Sequence, residues 1–150
     1  MERIPVKIKR LQNNEDIPLP AYGSKGSSGM DIRASVKQSV IIYPGEIRFI
    51  PTGLAVSIPS GFEAQIRPRS GLALNYGIGI ANSPGTIDSD YRGEIGIVVT
   101  NWGSEPFTIN RGDRIAQMII SRVYGADFIE VYDLDTTSRG QGGFGHTGVE

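Results

Sequence analysis

Ile47-Arg-Phe-Ile-Pro-Thr-Gly-Leu-Ala-Val-Ser-Ile-Pro-Ser-Gly-Phe-Glu-Ala-Gln-Ile-Arg67 packs three short β-rich runs into one stretch: Ile47 to Pro51, Gly53 to Ile58 and Phe62 to Arg67. Pro59-Ser60-Gly61 separates the last two, turn punctuation too abrupt for a helix to survive. The same rhythm runs outward in both directions, with further runs at Val6 to Lys9, Met30 to Ala34, Val40 to Tyr43, Ile78 to Ala81, Ile95 to Thr100, Phe107 to Ile109, Ala116 to Val123 and Phe128 to Val131. Between them stand Pro44-Gly45, Pro84-Gly85, Asn101-Trp-Gly103 and Asn110-Arg-Gly-Asp113. Twenty glycines and nine prolines at this spacing predict an all-β sandwich or barrel. One short helix is expected, with Ser70 as N-cap, Gly71 to Asn75 as body and Gly77 as terminator.

Composition narrows the chemistry. A chain of 150 residues makes one domain with a sizeable core, and a formal charge of -1 gives no general attraction to nucleic acid or membrane. Any polyanion must be met by a local cluster. The absence of cysteine excludes disulfides, thiolate metal sites and a cysteine nucleophile, and a lone His146 cannot build a histidine metal site. The first ten residues hold no apolar h-region, and no apolar run is long enough to span a bilayer. A soluble cytoplasmic protein is the expectation.

Four internal clusters carry chemistry. In Arg67-Pro-Arg69-Ser70-Gly71-Leu72 two arginines share one face of an extended stretch just before a helix opens, so Arg69, Ser70 and the Gly71 amide make an anion cradle. In Asn82-Ser-Pro-Gly-Thr-Ile-Asp88-Ser-Asp90-Tyr91-Arg92-Gly93 a turn carboxylate stands between an amide that donates and accepts in pairs and a flat ring with a polar tip. A lone turn aspartate usually makes only local hydrogen bonds. Beside a phosphate cradle it can hold a water and take its proton, so Asp88 is the candidate base. Ser28-Gly29-Met30-Asp31-Ile32-Arg33-Ala34 puts one acid on a short strand, where the bland alternative is a surface pair with Arg33 or Lys37. Gly112-Asp113-Arg114-Ile115-Ala116-Gln117 adds another amide and arginine, and Arg111-Gly112-Asp113 is read as a turn before a strand.

The C-terminal end reads Arg139-Gly-Gln-Gly-Gly-Phe144-Gly145-His146-Thr147-Gly148, too poor in buriable side chains to offset its own ordering entropy. It keeps an anion-binding fork, a stacking ring and open backbone amides, the parts of a flap over a phosphorylated, base-bearing ligand.

Five motifs in this order resemble those of the trimeric deoxyuridine triphosphate nucleotidohydrolases, the dUTPases: Ser28 to Ala34, Pro68 to Leu72, Asn82 to Gly93, Gly112 to Gln117 and Arg139 to Gly148. The resemblance implies a jelly-roll-like β-barrel over residues 1–135 and a flexible arm over 136–150. It implies a homotrimer whose active sites are shared, with motifs one, two and four from one subunit, motif three from a second and the arm from a third. The implied reaction is hydrolysis of dUTP to dUMP and pyrophosphate with Mg2+, keeping uracil out of DNA and supplying dUMP for dTMP synthesis.

Carried over by position, Asp88 would deprotonate the attacking water, and Ser70, Arg69, Gly71 and Gln117 would hold phosphate oxygens. Asn82 with the neighbouring backbone of Thr86 and Ile87 would meet the uracil edge, and Tyr91 would pack under the deoxyribose. Phe144 and Gly145 would cover the base while Arg139 and Thr147 reach the γ-phosphate. Asp31 would act on the metal through water or by ordering Arg69 and its neighbours. His146 stands where the family's arm usually has serine and is read as a solvated bystander. A dCTP deaminase on the same scaffold usually carries Arg-Ser-Ser in place of Arg69-Ser70-Gly71 and lacks the full arm. A catalytically silent binding module would be expected to have lost Asp88 or Ser70.

Overall fold

The computed structural model describes residues 3–11 and 14–146. Among them lie eleven strands and one helix: β1 Lys7–Arg10, β2 Met30–Arg33, β3 Val40–Ile42, β4 Ile47–Pro51, β5 Leu54–Ser57, β6 Phe62–Arg67, α1 Ser70–Tyr76, β7 Ile78–Ile80, β8 Gly85–Ile87, β9 Gly96–Asn101, β10 Phe107–Ile109 and β11 Arg114–Arg122. The all-β reading holds. Strands pair in the orders β2-β11-β6-β8, β4-β9-β7, β1-β5 and β10-β3, and every pairing is antiparallel.

Isoleucine builds the core. Ile32 of β2, Ile42 of β3, Ile50 of β4, Ile97 of β9 and Ile109 of β10 are fully buried in one cluster with Val99, Ala116 and Met118. These residues come from three of the four sheets, so the sheets share one interior, and β-branched side chains suit its pleated walls. Burying each isoleucine contributes about 1.5–3 kcal/mol. The few polar side chains inside are satisfied. Asn101 donates to the carbonyls of Ile42 and Glu105 at 2.9 and 2.8 Å and accepts from the amide of Gly103 at 2.8 Å. Asn14 bonds the carbonyls of Thr52 and Gly53 and the hydroxyl of Ser35, which fastens the loop after β1 to the start of β5. On the exposed side of the same loop Asp16 takes a bidentate pair from Arg111 at 2.7 and 2.8 Å, and this hydrogen bonding holds the carboxyl below its ordinary value. Arg111-Gly112-Asp113 forms the expected turn before β11, with Gly112 at φ +85 and the Asp113 amide bonded to Asn110 O.

Three expectations need correction. Phe128 to Val131 forms no strand: Phe128 and Ile129 are 97% and 84% exposed, because a β-prone run makes a strand only where an edge is offered to it. Gly85–Ile87 is a strand, paired to β6 with Thr86 opposite Gln65, although Pro84-Gly85 reads as a turn. Ser70 does not cap α1. Arg69 is the N-cap, extended at φ -88 and ψ 130 and making no side-chain cap bond, so Ser70 is the first helical residue and its hydroxyl is not committed to capping. Gly77 ends the helix in the left-handed conformation, as expected.

Candidate active site

β11 is hydrogen-bonded on both sides, and Gln117 at its middle stands opposite Asp31 of β2 and Arg67 of β6. That register brings three separate sequence motifs to one face. They line a cleft of about 340 Å³, with Asp31 and Gln117 on the strands, Arg69, Ser70 and Gly71 at the helix entry, and Ser27, Ser28 and Gly29 on the loop before β2. Gln117 Nε2 donates to Pro68 O at 2.9 Å, which ties β11 to the segment that carries Arg69. Gly29 leaves room for this amide: a Cβ there would come 2.5 Å from Gln117 Oε1, so a larger residue would have to displace it.

Asp31 does not pair with Arg33 or Lys37. Its Oδ1 meets Arg69 Nε at 3.1 Å and its Oδ2 meets Arg114 Nη1 at 3.0 Å, while Arg33 donates instead to Gly112 O at 2.7 Å. The cleft therefore presents a half-buried carboxylate neutralised by two guanidiniums. It is cationic on balance, with helix-entry amides beside it, and suits a polyanion.

Asp88 lies elsewhere. It follows β8 directly, in a turn closed by the Tyr91 amide on Asp88 O at 3.2 Å, and lines a second cavity of about 550 Å³ with Ser89, Asp90, Glu63 and Phe62. The two cavities share no lining residue. Tyr91 Oη donates to Glu94 O at 2.9 Å. Ile87 is buried, so it offers only its backbone, whereas Thr86 and Asn82 are exposed. Of the arm, Phe144 is fully exposed at φ +51, followed by Gly145 at φ +80, and Arg139 Nε donates back to Gly142 O at 2.8 Å. Thr147 lies outside the described residues.

One chain thus gathers Asp31, Arg69, Ser70, Gly71 and Gln117 around that cleft, whereas Asp88, Asn82, Thr86, Ile87, Tyr91, Arg139, Phe144 and Gly145 do not line it. Ser27 carries no role in the motif reading, and Arg114 enters it only as an added arginine. Ser27 belongs to Gly23-Ser-Lys-Gly-Ser-Ser-Gly29, whose glycine and serine density was the available signal. Arg114 sits within the fourth motif, and its pairing with an acid 83 residues away in sequence has no local signature. Among the described residues no group of three or more His, Cys, Asp or Glu side chains could hold a metal ion. A Mg2+ ion bound chiefly through substrate phosphates needs only one or two protein carboxylates, so the donor set fits an ion that arrives with a triphosphate.

The family model described as dUTPase matches residues 15–148. The chain belongs to the dUTPase family. The dUTPase match spans all five motifs, and relatives agree with it. The deoxyuridine 5'-triphosphate nucleotidohydrolase of Caldanaerobacter subterraneus subsp. tengcongensis is 58% identical over 146 residues, covering 97% of this chain and 99% of that one. Its namesake from a Thermoanaerobacter species is 57% identical with the same coverage. Among solved structures, a Staphylococcus bacteriophage 80alpha dUTPase with dUPNHPP is 26% identical, covers 97% of this chain and 99% of that one, and superposes with a TM-score of 0.86. The β-rich architecture is that of dUTPase structures. No helix among the described residues is long and apolar enough to cross a membrane.

Proposed function

We propose that this dUTPase-family chain hydrolyses dUTP to dUMP and pyrophosphate at sites shared between the subunits of a cytoplasmic homotrimer. One observation carries the shared site: the arginine-bearing cleft and the Asp88 cavity are separate on one chain. Asp88, Asp90 and Glu63 face the same cavity, and a triphosphate set against three carboxylates alone is repelled. Bringing that cavity of one subunit against the arginine cleft of another supplies both halves. The exposed apolar stretch Tyr124, Phe128, Ile129, Tyr132 and Leu134 supports assembly too, since a single chain leaves it uncovered.

In this reading residues 1–135 form the enzyme body and residues 136–150 an arm that closes over a neighbouring subunit's site. Asp88 takes a proton from the water that attacks the α-phosphorus; the bond to the bridging oxygen breaks and pyrophosphate leaves. Ser70 donates to that bridging oxygen, where charge develops, and its freedom from capping suits the role. Arg69, the Gly71 amide and Gln117 hold phosphate oxygens. Asn82 with the backbone of Thr86 and Ile87 pairs with the uracil edge, and Tyr91 closes the 2′ side of the sugar. Phe144 stacks on the base with Gly145 beside it, and Arg139 with Thr147 reaches the γ-phosphate. Asp31 would meet Mg2+ through water, and the ion when bound neutralises phosphate charge. Consuming dUTP keeps uracil out of DNA, and the dUMP formed supplies dTMP synthesis.

Incubation with dUTP, UTP, dTTP and dCTP tests this. Pyrophosphate release is expected from dUTP with strong preference, and ammonia from none. Comparable turnover of UTP or dTTP sinks the proposed pocket, and ammonia from dCTP reassigns the reaction.

A further inference from the structure

β11 buries two residues in succession, Ile115 and Ala116, where a regular strand alternates. The cause is its pairing with β2. Gln117 stands opposite Asp31 and Ala116 opposite Ile32, but it is Arg114, not Ile115, that faces Arg33. Ile115 is the extra residue of a β-bulge, and a bulge reverses the facing of everything before it. In an unbroken strand Ile115 would share the cleft face with Gln117 and Arg114 would point inward with Ala116. The bulge sends Ile115 into the core and turns Arg114 out, where its Nη1 reaches Asp31 Oδ2 at 3.0 Å. The other oxygen of Asp31 takes Arg69 Nε at 3.1 Å, and Arg69 Nη1 donates to the Arg114 carbonyl at 3.2 Å. Arg114 thus meets Arg69 at two points, through the carboxylate that its side chain shares and through its main-chain carbonyl, and only the first depends on the side chain.

We infer that Arg114 is a positioning residue for Arg69, delivered to the site by the bulge at Ile115. The inference rests on the reading of this cleft as the phosphate site. A free arginine gives up much rotamer freedom when it engages an anion; held at two points beforehand, Arg69 gives up less at the moment of binding. Asp31 also offsets the repulsion between the two guanidiniums. A guanidinium has five N–H donors, so these two contacts leave the fork able to take a phosphate oxygen.

The test measures, by calorimetry with Mg2+ present, the Kd of a dUTP analogue with an imido bridge between the α- and β-phosphorus. Arg69→Ala and Arg114→Ala should each weaken binding about 10-fold, and Arg114→Ala should add less than about 2-fold in the Arg69→Ala background. Arg114→Lys should restore most of the loss, since a single N–H reaches Asp31. A double variant that loses the product of the two single effects shows that Arg114 acts on its own and overturns the inference. So does an Arg114→Ala protein with lowered Tm and unchanged Kd. Should Arg114→Ala not fold, Arg114→Gln cycled against Arg69→Ala decides by the same rule. If Arg69→Ala alone leaves Kd unchanged, the phosphate reading itself fails, a result distinct from additivity.

Discussion

The ring of Tyr91 lies against the bare Cα of Gly93, so close that a Cβ on Gly93 would come 2.3 Å from Tyr91 Oη and 2.5 Å from Cζ. With the hydroxyl held by Glu94 O, the ring is fixed at its tip and along its edge. Gly93→Ala must push it aside. The ratio of kcat/KM for UTP to that for dUTP is expected to rise about 10-fold in Gly93→Ala and in Tyr91→Ala, with dCTP still refused because the base is read elsewhere. Steady-state kinetics on the three nucleotides checks this, and an unchanged ratio in both variants removes Tyr91 as the sugar gate.

Asp88→Asn keeps the shape of the turn and removes the proton acceptor. kcat should fall by about 10² or more while affinity for a non-hydrolysable dUTP analogue changes little. Activity that survives the change assigns the base to another group.

Removing residues 136–150 should leave a folded, assembled protein with most of its catalysis gone, because Arg139 and Phe144 lie beyond every strand. In the proposed shared site arm and base come from different chains, so mixing that truncated chain with Asp88→Asn subunits should restore activity above either parent. Verified subunit exchange without recovery would refute sharing.

Arg111 holds the Asp16 carboxyl below its ordinary value of 3.8 by hydrogen bonding. A carboxylate with a lowered folded pKa stabilises the fold above its ordinary range and loses that contribution as pH falls through the lowered value. Asp16→Asn should therefore lower Tm slightly at pH 7, in keeping with an exposed pair, and the gap should close in strong acid. Thermal melts across pH 7 to about 2 follow it. A gap that does not vary with pH means that charge pairing is not its source.

Much of the architecture was legible because β-rich runs and turn residues agree locally. Ile47–Pro51, Phe62–Arg67 and Phe107–Ile109 have the boundaries their sequence predicts. Gly85–Ile87 was hidden because Pro84-Gly85 punctuates the run that β6 recruits. Phe128 to Val131 misled in the opposite sense, having the propensity without an edge to join. At the cleft, the grouping of Arg69, Ser70 and Gly71 could be read from residue types alone. The Asp31–Arg69–Arg114 arrangement could not, because it joins residues 38 and 83 positions apart and depends on a bulge that leaves no turn residue behind.

The bulge also makes β11 a counting device. From the Gly112 turn to Gln117 the number of residues decides which side chains see the cleft and which see the core, and both neighbouring strands fix Gln117 in place. Losing Asp113, with Gln117 held in place, would restore a regular ladder, bury a guanidinium and expose an isoleucine at a stroke. A change of chain length between the Gly112 turn and Arg114 thus disturbs cleft and core together. Length, as much as residue identity, is what natural variation must keep in this part of the chain.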